Sequence, residues 1–173
     1  MGNPSITAYN PNNGEQLWRV QKFGGEPAAS ACSANGIVYA CDDHMRFVAI
    51  NAADGTVLWE KNDFLSDVAS PVATKDNIYM ATSYGLVLSF DTQTGDPRVE
   101  HEVGVGFSSS PMIADGKVFV ISDKGKVFIF TADDEFKLLD SFETGEETFA
   151  TPAFTDGKIV IRTEKSIYCV AKK

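Results

Sequence analysis

The chain has 173 residues, of which 43% are hydrophobic and 11% aromatic, with 24 acidic against 15 basic residues and a net charge of −9. That length and apolar content suit one domain with a sizeable core. The basic residues are scattered, which disfavours nucleic-acid binding because phosphate neutralisation needs clustered cations. No apolar run approaches the roughly 18 residues of a membrane-spanning helix.

Taken in chain order, the predicted elements are all strands. Two lie at residues 6–10 and 16–20, and then a four-strand unit repeats three times. The first strand of each unit (A) is expected at residues 28–32, 70–73 and 110–113, and the second (B) at 37–41, 78–82 and 118–122. Bulky third strands (C) and short polar-apolar fourth strands (D) follow. A last A and B pair is expected at 151–154 and 159–163, with a C strand at 167–170. Each run is rich in Val, Ile, Phe and Tyr, and Asp-Gly, Asn-Gly and related turns separate them, as tight hairpins require. No window carries apolar residues at helical spacing over a dozen or so positions.

The repeat is visible in the residues themselves. AYNPNNGEQLW starts at Ala8, AINAADGTVLW at Ala49, SFDTQTGDPRV at Ser89, IFTADDEFKLL at Ile129, and a further copy begins at Cys169, so successive copies are 41, 40, 40 and 40 residues apart. A fixed period of this size means one supersecondary unit stacked repeatedly, because a lone unit cannot bury its apolar face. Four-stranded antiparallel meanders arrayed radially make a β-propeller. The expected architecture is therefore all-β, a partial propeller of about four blades in a single domain spanning residues 1–173. Its partial blade covers residues 5–20, its blades lie near 28–60, 70–101 and 110–142, and an incomplete blade covers 151–170. Small residues on strand A, such as Ala29, Ser30, Ser70 and Ser110, suit the crowded inner axis.

The spacing Ala-x-Asn/Asp-x-x-x-Gly-x-x-x-Trp resembles the tryptophan-docking repeat of the pyrroloquinoline-quinone-like (PQQ-like) β-propellers, and the resemblance covers essentially the whole chain. Ala8, Asn10, Gly14 and Trp18 form one copy; Ala49, Asn51, Gly55 and Trp59 form the second. A third keeps Asp91 and Gly95 but has Val99 in place of Trp, and the fourth has Glu135 and Leu139 in place of Gly and Trp. Gly is expected to permit the tight C-to-D turn, and the Trp ring to lie on the neighbouring blade while its N–H finds a backbone acceptor. The resemblance implies an eight-bladed ring whose last blade is completed by a strand from the far end of the chain. This sequence enters in the middle of a blade, which suits a segment of a longer chain. Its open strand edges could be covered by a four-bladed closure, by a second copy or by further blades, and self-association through them is an expected consequence.

Candidate chemistry is sparse. Quinoprotein dehydrogenases of the resembled family need a quinone, a Ca²⁺ held by carboxylate and amide oxygens, and an aspartate base, and some carry a vicinal disulfide. Here Cys32, Cys41 and Cys169 are not adjacent and read as buried small hydrophobes. The aspartates fall in turn slots where their side chains bond to backbone. Asp42–Asp43–His44 reads as a solvated turn rather than a metal site, and His101 as a surface residue. Residues 104–110 (GVGFSSS) lack the following helix of a phosphate loop. No cofactor, metal site or catalytic residue is expected, and the chain is read as a non-enzyme.

What remains is binding. D-to-A and B-to-C loops share one propeller face, and Phe23, Phe64, Leu65, Phe107 and Phe149 recur there at nearly the same slot. Two roles stand open for them: plugs between strand A tops, or an exposed aromatic rim that docks a protein partner. The resemblance extends to the outer-membrane-protein assembly lipoproteins, which implies a scaffold in the periplasm or cell envelope, although no signal peptide is visible in these residues. A sensor ectodomain of a signalling kinase and a remnant of a quinone-dependent dehydrogenase are the alternatives.

Overall fold

A computed structural model describes residues 1–2, 4–24, 28–42, 46–62 and 68–171. An N-terminal hairpin pairs β1 (Ser5–Tyr9) with β2 (Gln16–Gln21). Blade 1 comprises β3 (Cys32–Ala34), β4 (Ile37–Cys41), β5 (Phe47–Asn51) and β6 (Val57–Lys61). Blade 2 comprises β7 (Val72–Ala73), β8 (Asn77–Ala81), β9 (Leu86–Asp91) and β10 (Pro97–Glu102). Blade 3 comprises β11 (Met112–Ala114), β12 (Lys117–Ile121), β13 (Lys126–Thr131) and β14 (Leu138–Glu143). A three-stranded terminal sheet of β15 (Ala153–Thr155), β16 (Lys158–Arg162) and β17 (Ile167–Ala171) follows. All pairings are sequential and antiparallel, the arrangement of β-propeller blades.

The core lies between the sheets. Tyr39, Cys41, Phe47 and Ala49 of blade 1 pack against Ile78, Met80, Leu88 and Phe90 of blade 2. Tyr79, Ala81 and Val87 on the other face of blade 2 meet Val118, Val120, Phe128 and Phe130 of blade 3. Both faces of each central strand are therefore covered, which is why β4, β8 and β12 read as nearly continuous apolar runs.

Strand A starts later than the sequence pattern places it: β7, β11 and β15 begin after Pro71, Pro111 and Pro152, which cannot donate to a ladder. The preceding residues tie one sheet to the next instead. The Ser30 N–H donates to Ser70 Oγ at 2.8 Å, Ser70 N–H to Ser110 Oγ at 2.9 Å, and Ser110 N–H to Thr151 Oγ1 at 3.0 Å. These ties are 40 or 41 residues long in sequence and mark the inner edge of the array.

At the outer edge, tryptophans span the joints. Trp18 Nε1–H donates to Ala52 O at 2.8 Å, and Trp59 Nε1–H to Thr92 O at 3.0 Å. Each indole lies over the glycine of the next C-to-D turn. Gly55 (φ 77°) and Gly95 (φ 70°) are in the left-handed region, and a Cβ there would stand 2.9 Å from Trp18 and 2.7 Å from Trp59. Glycine is thus required twice over, by backbone conformation and by ring contact.

The joint between blades 2 and 3 is built differently. Val99 leaves the tryptophan space empty, and Phe136 fills it from the opposite side, reaching back out of the C-to-D turn of blade 3 with φ 41° and no exposed surface. Its ring stands 4.9 Å from Tyr79 and 4.7 Å from Phe130 between centroids. His101 Nε2 contacts Phe136 O at 2.7 Å, and its ring packs on Phe130 and Phe136. His101 is therefore half-buried structure rather than a surface residue. Arg98, pairing with both Asp91 and Asp134 at 2.5 Å, closes this joint on its solvent side.

Candidate protein-binding face

The D-to-A connections and B-to-C turns gather on one face and are knitted together by backbone bonds. Phe107 N–H donates to Thr82 O at 3.1 Å, and one period later Thr148 N–H donates to Asp123 O at 3.1 Å. Asp123 N–H bonds Gly106 O and Glu164 N–H bonds Glu147 O, each at 2.9 Å. Gly106 has no side chain because a Cβ would run into the Ser83 carbonyl.

Carboxylates lock the same loops. Asp42, 1% exposed, accepts from the Gly24 and Arg46 N–H groups at 3.0 Å, so it is a buried loop tie and not a solvated turn residue. Asp43 and His44 lie outside the described residues. Asp123 accepts from Ser108 N–H at 2.8 Å. Glu146 accepts from Thr163 Oγ1–H at 2.6 Å, Ser166 Oγ–H at 2.8 Å, Lys165 N–H at 3.0 Å and Tyr168 O–H at 3.3 Å. Those donors, Thr163 and Ser166 foremost, hold its carboxyl down to about 2.

The five aromatic and aliphatic rim candidates divide. Phe23 is 5% exposed and Phe107 0% exposed, so neither is a rim residue; each plugs the space between successive sheets. Phe64 and Leu65 lie outside the described residues. Phe149 is 62% exposed. The backbone bonds explain the split: Thr148, not Phe149, holds the slot of Phe107, and it is buried with its hydroxyl donating to Arg162 O at 2.6 Å. A one-residue offset turns Phe149 outward.

Phe149 overlooks a groove of about 440 Å³ formed by Ser83, Gly104–Gly106, Asp123, Lys124 and Glu147. A second groove of about 310 Å³ adjoins it, floored by Thr148, Arg162 and Thr163. Lys124 and Glu147 pair across the rim at 2.5 Å, which lowers the Glu147 carboxyl and raises the Lys124 ammonium. An apolar ring beside glycine backbone and one exposed ion pair is suited to a peptide segment with an apolar side chain.

The residues that could serve redox chemistry are engaged elsewhere in the fold. Asp54, Asp91 and Asp133, among the aspartates that could ligate Ca²⁺ or act as a base, accept N–H bonds from Thr56, from Gln93 and Thr94, and from Glu135 and Phe136 in their own turns. Cys32 and Cys41 are free thiols pushed up to about 12, chiefly by burial, which makes them poor nucleophiles and poor ligands. Both docking tryptophans are committed to joints. These residues do not fit a quinone–Ca²⁺ centre. No helix among the described residues is long and apolar enough to cross a membrane.

A family model described as "Outer membrane protein assembly factor BamB" matches residues 2–69 and 63–138. The curated BamB of Escherichia coli (strain K12) is 27% identical over 131 residues, covering 75% of this chain and 33% of that protein. The "1-butanol dehydrogenase (quinone)" of Thauera butanivorans is 27% identical over 177 residues, covering 85% of this chain and 27% of that protein. The crystal structure of BamB from Moraxella catarrhalis superposes with a TM-score of 0.77 at 14% identity, over 97% of this chain and 52% of that one. The chain thus spans about a third of the length of the E. coli relative. With tryptophan-docked blades and a family model matched over most of its length, the chain belongs to the PQQ-like repeat family described as that of outer membrane protein assembly factor BamB.

Proposed function

We propose that this chain is a protein-binding propeller module of the cell envelope, a non-catalytic scaffold in outer-membrane protein assembly. The carrying observation is Phe149, 62% exposed at the meeting of two grooves on a loop face otherwise rigidified by hydrogen-bonded carboxylates and buried plugs. A large aromatic side chain held exposed by a rigid frame has the character of an interface hot spot. The similarity to outer membrane protein assembly factor BamB supports outer-membrane assembly as the setting and an extracytoplasmic location.

The test is site-specific. Phe149→Ala removes no buried contact and should change stability by no more than about 0.5 kcal/mol, while weakening capture of an outer-membrane assembly component on the order of 30-fold. A photo-crosslinking residue at position 149 should give a discrete adduct with that component in envelope extract. Unchanged capture by Phe149→Ala, or no adduct, overturns the reading.

The match to a quinone dehydrogenase favours one second reading, a remnant of such an enzyme. Addition of pyrroloquinoline quinone with Ca²⁺ separates the two: a saturable spectral shift of the quinone supports the remnant, and free-quinone spectra throughout support the scaffold.

A further inference from the structure

Blade 2 carries polar side chains where its neighbours carry apolar ones. On the face it turns to blade 3, β8 and β9 present Tyr79 opposite Ser89 and Asn77 opposite Asp91. One period earlier, blade 1 holds Tyr39 opposite Ala49 and Ile37 opposite Asn51. One period later, blade 3 holds Phe119 opposite Ile129. Asn77 and Ser89 thus bring an amide and a hydroxyl into positions that Ile37 and Ala49 line in blade 1, and they do so at 2% and 0% exposure. Burying such groups is costly unless they are hydrogen-bonded.

Three atoms of this face stand out. Asn77 Oδ1, Tyr79 OH and Ser89 Oγ are buried and have no hydrogen-bond partner among the described residues. Their surroundings are already committed. Asn77 Nδ2–H donates to Asp134 Oδ1 at 2.9 Å, which orients the amide and leaves Oδ1 as its unused acceptor. Thr74 Oγ1 lies near the Tyr79 hydroxyl without completing a bond to it; it donates to Asn77 O at 3.2 Å and accepts from Asn77 N–H at 3.0 Å. Burial pushes the Tyr79 hydroxyl up to about 12, so it keeps its proton at neutral pH. The equivalent tyrosine of blade 1 has an acceptor, since Tyr39 OH reaches Thr92 O at 3.5 Å.

We propose that the joint between blades 2 and 3 is a water-binding site, in which resident water accepts from the Tyr79 and Ser89 hydroxyls and donates to Asn77 Oδ1. Three polar partners is the usual complement of a buried water. Water both accepts and donates, as this set of two hydroxyls and an amide oxygen requires. A hard cation suits the set less well. All three oxygens are neutral, and the flanking Asp91 and Asp134 already share the Arg98 guanidinium. Val99 stands opposite Ser89 where Trp59 stands opposite Ala49 in blade 1, so the side chain beside the hydroxyl is the smaller one. The joint so built is bridged in part by exchangeable solvent, unlike the preceding one, where Trp59 and Tyr39 both reach Thr92 O directly.

Water-selective NOE spectroscopy on the intact, isotope-labelled chain tests this directly. Cross-peaks from long-lived water to the Asn77 side-chain amide are expected, and combining Tyr79→Phe with Ser89→Ala should remove them. Each of these two substitutions alone should lower the folding equilibrium constant roughly two- to tenfold by denaturant unfolding, because a hydroxyl bonded to water is lost. Stability that is unchanged or raised in both would mean that the hydroxyls are buried without a partner, and overturns the proposal. Absence of water cross-peaks at Asn77 in the parent chain overturns it without any variant. So does a saturable rise in Tm on adding Ca²⁺ or K⁺ that Asn77→Ile abolishes, which would assign the site to a cation.

Discussion

The joint between blades 1 and 2 and the joint between blades 2 and 3 solve one problem in opposite directions. In the first, Trp59 reaches forward from a D strand onto a bare glycine turn and bonds Thr92 O. In the second, Phe136 reaches backward from the turn onto a valine, and the contact between an aromatic nitrogen and a carbonyl passes to His101 and Phe136 O. Ring volume and one polar contact are kept while the donor of each changes sides. The repeat unit therefore specifies a filled wedge and a satisfied carbonyl at each joint, and the tryptophan is only one way to supply them.

The largest expected effect comes from making the second joint look like a failed copy of the first. Phe136→Gly removes a fully buried ring and should cost about 3–5 kcal/mol, of which relief of its positive φ returns up to about 1 kcal/mol. Adding Val99→Trp should recover more than half of the loss, and a double-mutant cycle by denaturant unfolding measures the coupling. Additive losses would mean that the two architectures are not interchangeable.

Next comes Gly95→Ala, which combines positive φ with the 2.7 Å approach of Trp59 and should cost roughly 2–4 kcal/mol. Gly116→Ala shares the positive φ but meets nothing within 4 Å, so it should cost only about 1–2 kcal/mol, and the difference isolates the indole. His101→Ala should cost about 1 kcal/mol if its contact with Phe136 O does the work of an indole N–H.

The smallest effect extends the comparison to the last joint, where the Phe119–Phe154 ring pair is joined by the Glu146 carboxylate, which binds Thr163, Lys165 and Ser166 of the terminal sheet. Its folded-state value lies below the ordinary 4.5, so its contribution is fully present above that value. It is lost as pH falls from about 4.5 toward 2. Glu146→Gln should flatten the Tm-against-pH curve across that window, and an unchanged curve would remove the carboxylate from the joint.

Much of this was legible in the sequence. The 40-residue period and the Asp-Gly turns specify antiparallel sheets, because strand alternation and hairpin chemistry act within a few residues. What escaped depends on partners a full period away. Phe149 was aligned with Phe107 although Thr148 holds that slot, an offset invisible until the bonds to Thr82 O and Asp123 O are compared. Val99 and Phe136 look like two separate departures from the motif and become one compensated pair only in space. Asp42 and His101 looked solvated because each finds its partner on a distant stretch of chain, Gly24 and Phe136. Ser30, Ser70, Ser110 and Thr151 do carry a readable signal, a hydroxyl once per repeat, which small size alone does not explain.

Those hydroxyls have a geometric consequence. On the inner side neighbouring sheets are held at the span of a single hydrogen bond, 2.8–3.0 Å, while on the outer side a whole aromatic ring is interposed. Unequal spacers at the two edges of a stack make it bend, so the radius of the arc is encoded as a difference in thickness between a hydroxyl and an indole. Thinning the outer spacer would straighten the array, and lengthening the inner tie would do the same.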